Sequence, residues 1–162
     1  MIPRTSLSSL PAIALAAVLA TGVVLAASPL YARDCEAIES MEPPRMLKIM
    51  RDLGLSVEEE VHEAGTSIVW KYNARRGRIL FMSDGEALQF YYGLTGTKAN
   101  SDDVNTWNSD FRYSRSYLDS DKDPVLELDL DFAGGICRER VDDWLRTCMA
   151  SWDRWVQNMR NK

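Results

Sequence analysis

Ser101 to Phe132 reads SDDVNTWNSDFRYSRSYLDSDKDPVLELDLDF, a helix, a turn and two strands in one unbroken run. Ser101 is placed to cap the following amides, Asp102 and Asp103 suit the positive end of a helix dipole, and Val104, Trp107 and Phe111 fall on one helical face. From Tyr113 to Leu118, and again from Val125 to Phe132, the pattern changes to alternation. Leu126, Leu128, Leu130 and Phe132 lie on one side, with Glu127, Asp129 and Asp131 on the other. The intervening Asp119-Ser-Asp-Lys-Asp-Pro124 supplies turn residues, so the two strands close as an antiparallel hairpin.

Upstream of this run, Met46, Ile49, Met50 and Leu53 recur at helical spacing, with Pro43 and Pro44 where a helix can begin and Gly54 where it can end. Leu55, Val57 and Val61 predict a strand, and Ile68, Trp70 and Tyr72 predict a second. A turn over Asn73 to Gly77 leads into Arg78 to Met82, and Asp84-Gly85 leads into Ala87 to Tyr92, which completes a four-stranded meander. Downstream, Gly134-Gly135 ends the sheet. From Ile136 onward, Cys137, Val141, Trp144, Leu145, Cys148, Trp152, Trp155 and Met159 form an apolar stripe on one long helix. The fold class is therefore α+β: a mostly antiparallel sheet of five to six strands with helices on one face, in the order α-β-β-β-β-α-β-β-α.

A chain of 162 residues with 46% hydrophobic content holds one domain with a real core. Its 24 acidic against 19 basic side chains exclude a nucleic-acid footprint, which needs concentrated positive charge. The basic cluster of Arg75, Arg76 and Arg78 falls in a predicted turn and reads as a solvated hairpin tip. Arg4 precedes an uncharged run from Ala12 to Ala27, the pattern of an export signal, with cleavage expected after Ala32. This places the mature chain in the periplasm, with no membrane contact beyond the export signal. An uncleaved leader anchored in the inner membrane is the alternative.

Three cysteines in an exported chain predict one disulfide and one free thiol. If Cys137 and Cys148 share one straight helix, eleven steps of ~1.5 Å set them roughly 16 Å apart, beyond the ~7 Å limit for bridged α-carbons. Cys35 is the shared partner. Cys148, in the middle of the stripe, is the preferred mate and Cys137 the alternative.

The chemistry of catalysis is sparse. His62 is the single histidine, sits among Glu58, Glu59, Glu60 and Glu63, and reads as a surface residue. One histidine and three scattered cysteines make no zinc constellation, and Gly134-Gly135 lacks the further glycine or lysine of a phosphate loop. Asp119, Asp121 and Asp123 have calcium-loop spacing, but Pro124 replaces the needed glycine and Leu130 the bidentate glutamate. The sequence predicts no catalytic residue, no metal and no cofactor.

Asn105-Thr-Trp107-Asn108, Phe111-Arg-Tyr-Ser-Arg115-Ser-Tyr117-Leu-Asp119, Asp123-Pro124-Val-Leu-Glu-Leu-Asp129 and Gly134-Gly135 resemble the signature of the YbjN family, and Leu88-Gln-Phe-Tyr-Tyr-Gly93 resembles its upstream strand. The likeness runs from Pro43 to Met159. Two departures are the export leader and Cys137 at a position where a serine-like cap is expected. The resemblance implies a fold similar to that of type III secretion chaperones and a regulatory, non-enzymatic interaction module. The expected layout is a signal peptide over 1–32, an N-terminal extension over 33–42 and a YbjN-like domain over 43–160. Trp107, Asn108, Arg115 and Tyr117, with the acidic strand face of Glu127, Asp129 and Asp131, are the candidate interaction residues for an unidentified protein partner. A homodimer through a sheet edge is left open. The alternative function is a small-ligand or lipid-binding domain, with a cavity between the last helix and the sheet.

Overall fold

The computed structural model describes residues 35–63 and 65–162, and the expected leader lies outside them. Helix α1 (Pro43–Asp52) leads into strands β1 (Ser56–His62), β2 (Gly65–Tyr72), β3 (Arg75–Met82) and β4 (Ala87–Gly93), with a 3-10 turn at Ser83–Gly85 between the last two. Helix α2 (Ser101–Asp110), strands β5 (Arg115–Leu118) and β6 (Pro124–Asp131), and helix α3 (Arg138–Arg160) follow, so the order is the α+β order expected. The strands form one sheet, β1-β2-β3-β4-β6-β5, in which each neighbouring pair is antiparallel.

Three boundaries differ from the sequence reading, each for a local reason. The cap of α2 is Asn100, not Ser101: its Oδ1 accepts from the amides of Asp102 and Asp103, while its own amide donates to Asp103 Oδ2 at 2.9 Å. Reciprocal capping of this kind needs an acid three residues on, and Asp103 stands in that register with Asn100. β5 starts at Arg115 rather than Tyr113 because Tyr113 has φ +66°, which breaks an extended run. The turn between β2 and β3 is only Asn73-Ala74, with φ of 48° and 58°. Asn-Gly is the familiar signature of such a turn, and alanine in the second place hid it. Arg75, Arg76 and Arg78 consequently sit on β3, not at a hairpin tip.

Alternation along the strands sends Ile68, Trp70, Ile79, Leu88, Phe90, Tyr92, Leu126, Leu128 and Leu130 into one core with Met46 and Met50 of α1, Val104 and Trp107 of α2, and the stripe of α3. Trp152 fills the middle of this core. Its ring centroid lies 4.9 Å from Tyr92, 5.1 Å from Phe90 and 6.0 Å from Trp70. Gly77 makes the room: a Cβ there would come within 2.7 Å of Phe90 and 3.1 Å of Trp152. The space between α3 and the sheet, where the small-ligand alternative puts its cavity, is occupied by packed aromatic rings.

The disulfide joins Cys35 to Cys137, with α-carbons 5.7 Å apart, and Cys148 is the free thiol. This corrects the preference for Cys35–Cys148. Cys137 is not within α3 but is its N-cap, and the residue before it, Ile136, exchanges two backbone hydrogen bonds with Ile38. That bridge brings residues 35–38 alongside the start of α3, a close approach that Gly135 permits, since a Cβ on it would meet Ala37 at 2.9 Å. Cys148 instead points into the core, where burial pushes its pKa well above the usual thiol value. The strap is part of the fold as well as a tether, because Ile38 and Met41 are buried with the core residues.

The bond closes a loop with a sequence separation of 102. Replacing Cys35 by serine is expected to lower unfolding stability by about 2–5 kcal/mol. Urea denaturation of the variant and the oxidised parent measures this. Peptide mapping should give a Cys35–Cys137 peptide, with Cys148 alkylated only after unfolding.

Candidate functional site

The strand positions that do not enter the core form the opposite face of the sheet, and there the cross-strand registers align Glu58, Val69, Arg78, Tyr91, Glu127 and Arg115 in one row. The row is charged at both ends and self-neutralised. Glu58 accepts from Lys71 and Arg76, and Glu60 in the next row pairs with Arg78. The Arg78 hydrogen bond and charge hold the Glu60 carboxyl below its usual range. The arginines on this face therefore brace β1 against β2 and β3.

At the other end the structure brings Glu127, expected on an acidic face with Asp129 and Asp131, together with Arg115 and Tyr117, which were expected to share a strand face. The Glu127 side chain is only 5% exposed, yet its charge is matched: Arg115 donates through Nε at 3.0 Å and through its terminal nitrogen, and the Tyr117 hydroxyl donates at 2.7 Å. Charge-assisted bonds of this sort compensate a buried carboxylate. Glu127 is thus spent inside the protein rather than offered to a basic partner. Asp129 and Asp131 stay exposed on the same strand, Asp129 taking a hydrogen bond from Gln89 at 3.0 Å. Burial, followed by the bond to Glu127, pushes the Tyr117 phenol up to about 12.

Trp107 and Asn108 lie elsewhere. Trp107 is in the core, its Nε1 donating to Ser114 Oγ at 3.0 Å. Asn108 acts as a substitute strand: its Nδ2 donates to the Ser116 carbonyl and its Oδ1 accepts from the Ser116 amide, both at 2.8 Å. These are the main-chain groups that β5, at the end of the sheet, would otherwise turn outward. Its edge is closed by a side chain of α2, and β1 is left as the sheet's other edge.

His62 lies 3.4 Å from both Glu60 and Arg78. Ser67 Oγ accepts from Arg78 at 3.3 Å, so the group facing this hydroxyl is a guanidinium, which takes no proton from it. The Asp119 carboxylate that raised the question of calcium serves its own turn, accepting from the amides of Asp121 and Asp123 at 2.9 and 3.0 Å.

One cluster escaped the sequence reading. Arg75 lies against the rings of Tyr72 and Trp152 and bonds Asp153, which also takes the Tyr72 hydroxyl at 2.6 Å. Burial alone would raise the Asp153 carboxyl, but the bonds from Tyr72 and Arg75 outweigh it and hold the group below its usual range. This clamp fixes the tip of the β2–β3 hairpin to α3. Nothing in the spacing of residues 72, 75 and 153 announces it.

The YbjN family model, described as "Putative bacterial sensory transduction regulator", matches residues 43–160. No curated protein and no solved structure matches the chain.

Substituting Asn108 by alanine, which strips Ser116 of two partners, is expected to cost about 1–3 kcal/mol in chemical denaturation. For Tyr117, the unfolded phenol titrates near 10.0 and the folded one at about 12. The contribution is complete below the unfolded value and is lost as pH rises through the folded one. Between those values the parent should therefore lose stability more steeply with pH than Tyr117→Phe, as denaturation midpoints of the two proteins will show.

Proposed function

The chain belongs to the YbjN family, and we propose that it works as a non-catalytic protein-interaction module with a regulatory role in the periplasm, taking up an extended polypeptide along the β1 edge. The observation that carries this reading is the inequality of the two sheet edges. On β5 the main-chain groups of Ser116 are taken by Asn108, whereas β1 ends the sheet with no further strand beside it among the described residues. Strand addition uses main-chain hydrogen bonds for affinity and alternate side chains for choice of partner.

The surroundings of β1 suit such a guest. Val61 is 74% exposed and Met82 45% exposed, so both offer apolar surface to a guest. On the sheet face that carries Met82 runs an open groove of about 390 Å³, lined also by His62, Ser67, Arg78 and Leu80. Glu58 and Glu60 are already paired with cations, so a guest strand does not meet bare carboxylates from them. Glu59 stays exposed and disfavours pairing of β1 with a second copy of itself, because like charges would face one another. The leader and the Cys35–Cys137 bond together support an oxidising compartment.

A photo-cross-linking residue placed at Glu59 in the tagged full-length chain tests the edge. In intact cells it should yield a discrete polypeptide adduct, and the same residue at Asp121, in the β5–β6 turn, should not. Equal labelling from both positions would refute the assignment, as would recovery of the chain in the cytoplasmic fraction for its location.

A further inference from the structure

A second open groove, of about 360 Å³, lies between the end of α2 and the middle of α3, far in sequence from β1. Its apolar part is the Trp107–Phe111 stack, with ring centroids 4.0 Å apart, beside Ala150. Small residues on α3 let another chain approach closely: Thr147, Ala150 and Ser151 border the groove. From Thr147 to Arg154 the helix advances about 10 Å, the length of roughly three extended residues.

Two guanidiniums flank this floor. Arg154 lies 5.4 Å from the Phe111 ring, which positions it without consuming its hydrogen-bond donors. Arg112 stands on the exposed connection to β5. Among the described residues neither is in an ion pair, whereas Arg75, Arg76, Arg78 and Arg115 all are. Asp110 also borders the groove and offsets one of the two charges. Tyr113 also lines the groove, 80% exposed and held at φ +66°. A bulky aromatic residue in that backbone region is a genuine outlier, and here it presents the ring at the rim.

We propose that this groove docks an acidic polypeptide segment, with carboxylates on Arg112 and Arg154 and an apolar side chain against the half-buried Phe111 ring, which Trp107 backs from the core. The proposal rests on reading the chain as an interaction module and adds a second surface with its own chemistry. Local charge complementarity selects the occupant: with Asp110 offsetting one of the two arginines, the groove keeps a net positive charge for an acidic segment. A nucleic acid or an anionic membrane would meet the rest of a chain whose net charge is −5.

The probe is a fluorescein-labelled peptide of alternating glutamate and leucine, about ten residues long, compared by anisotropy with its lysine counterpart. The processed full chain should bind the glutamate peptide and not the lysine peptide, more weakly as salt is raised. The double change Arg112→Ala and Arg154→Ala should weaken binding at least about tenfold, equivalent to two lost charge contacts. Tyr113→Gly should leave the thermal midpoint undiminished, because glycine suits that backbone, yet weaken binding. No binding of the glutamate peptide, equal binding of both peptides, an unaffected double variant, or binding to phosphatidylglycerol vesicles in place of the peptide would each overturn the proposal. A cross-link from Glu59 that persists in any of those cases leaves the interaction module standing and removes only this groove.

Discussion

Everything in the domain leans on the seating of Trp152 against the middle of the sheet. One large ring reaches Trp70 on β2 and Phe90 and Tyr92 on β4 at once, and it does so because Gly77 on the intervening β3 presents no side chain beneath it. Aromatic contacts of this kind add to the apolar area that they bury, so α3 and the sheet are worth little apart. Around the ring the attachments become more specific. Asp153 clamps the β2–β3 hairpin, and Trp155 donates to Ser116 Oγ at 2.8 Å, which in turn donates to the Val125 carbonyl. The last helix thus ties the β2–β3 hairpin and the β5–β6 hairpin to one another.

That arrangement also settles which surfaces are spent and which are left over. The helix side of the sheet is consumed by core packing, and most cations of the opposite side are consumed by bracing neighbouring strands. What remains available is peripheral: the β1 edge with Val61 and Met82 beside it, and the rim between α2 and α3 with Tyr113. Both are open and shallow, which suits the binding of another chain better than the enclosure of a small molecule.

Periodicity carried most of the fold in the sequence. The alternation of Leu126, Leu128 and Leu130, and the three-and-four spacing of Val141, Leu145, Cys148, Trp152 and Trp155, each have one physical solution, so strand and helix were legible from the side chains alone. Contacts set by three-dimensional approach were not. Cys35 finds Cys137 because Ile38 pairs with Ile136, a match between two isolated residues that has no period to read. The same holds for Arg75 with Asp153, and for Asn108 standing in as a strand beside β5. That Arg115 and Tyr117 share a face follows from their spacing on one strand, but that Glu127 is buried between them and already matched depends on how the longer side chains fold over it.

The covalent link between residue 35 and the cap of α3 alters how the domain responds to being pulled. Force arriving from the amino-terminal side reaches Cys35 before it reaches α1, and the sulfur bridge hands it directly to the first turn of the final helix. The sheet is thereby excluded from the load path, and a tug on the tail is resisted by the buried tryptophan rod rather than by peeling strands one at a time. Reduction of that one bond would shift the strain onto the buried Ile38 and Met41 and, beyond them, α1.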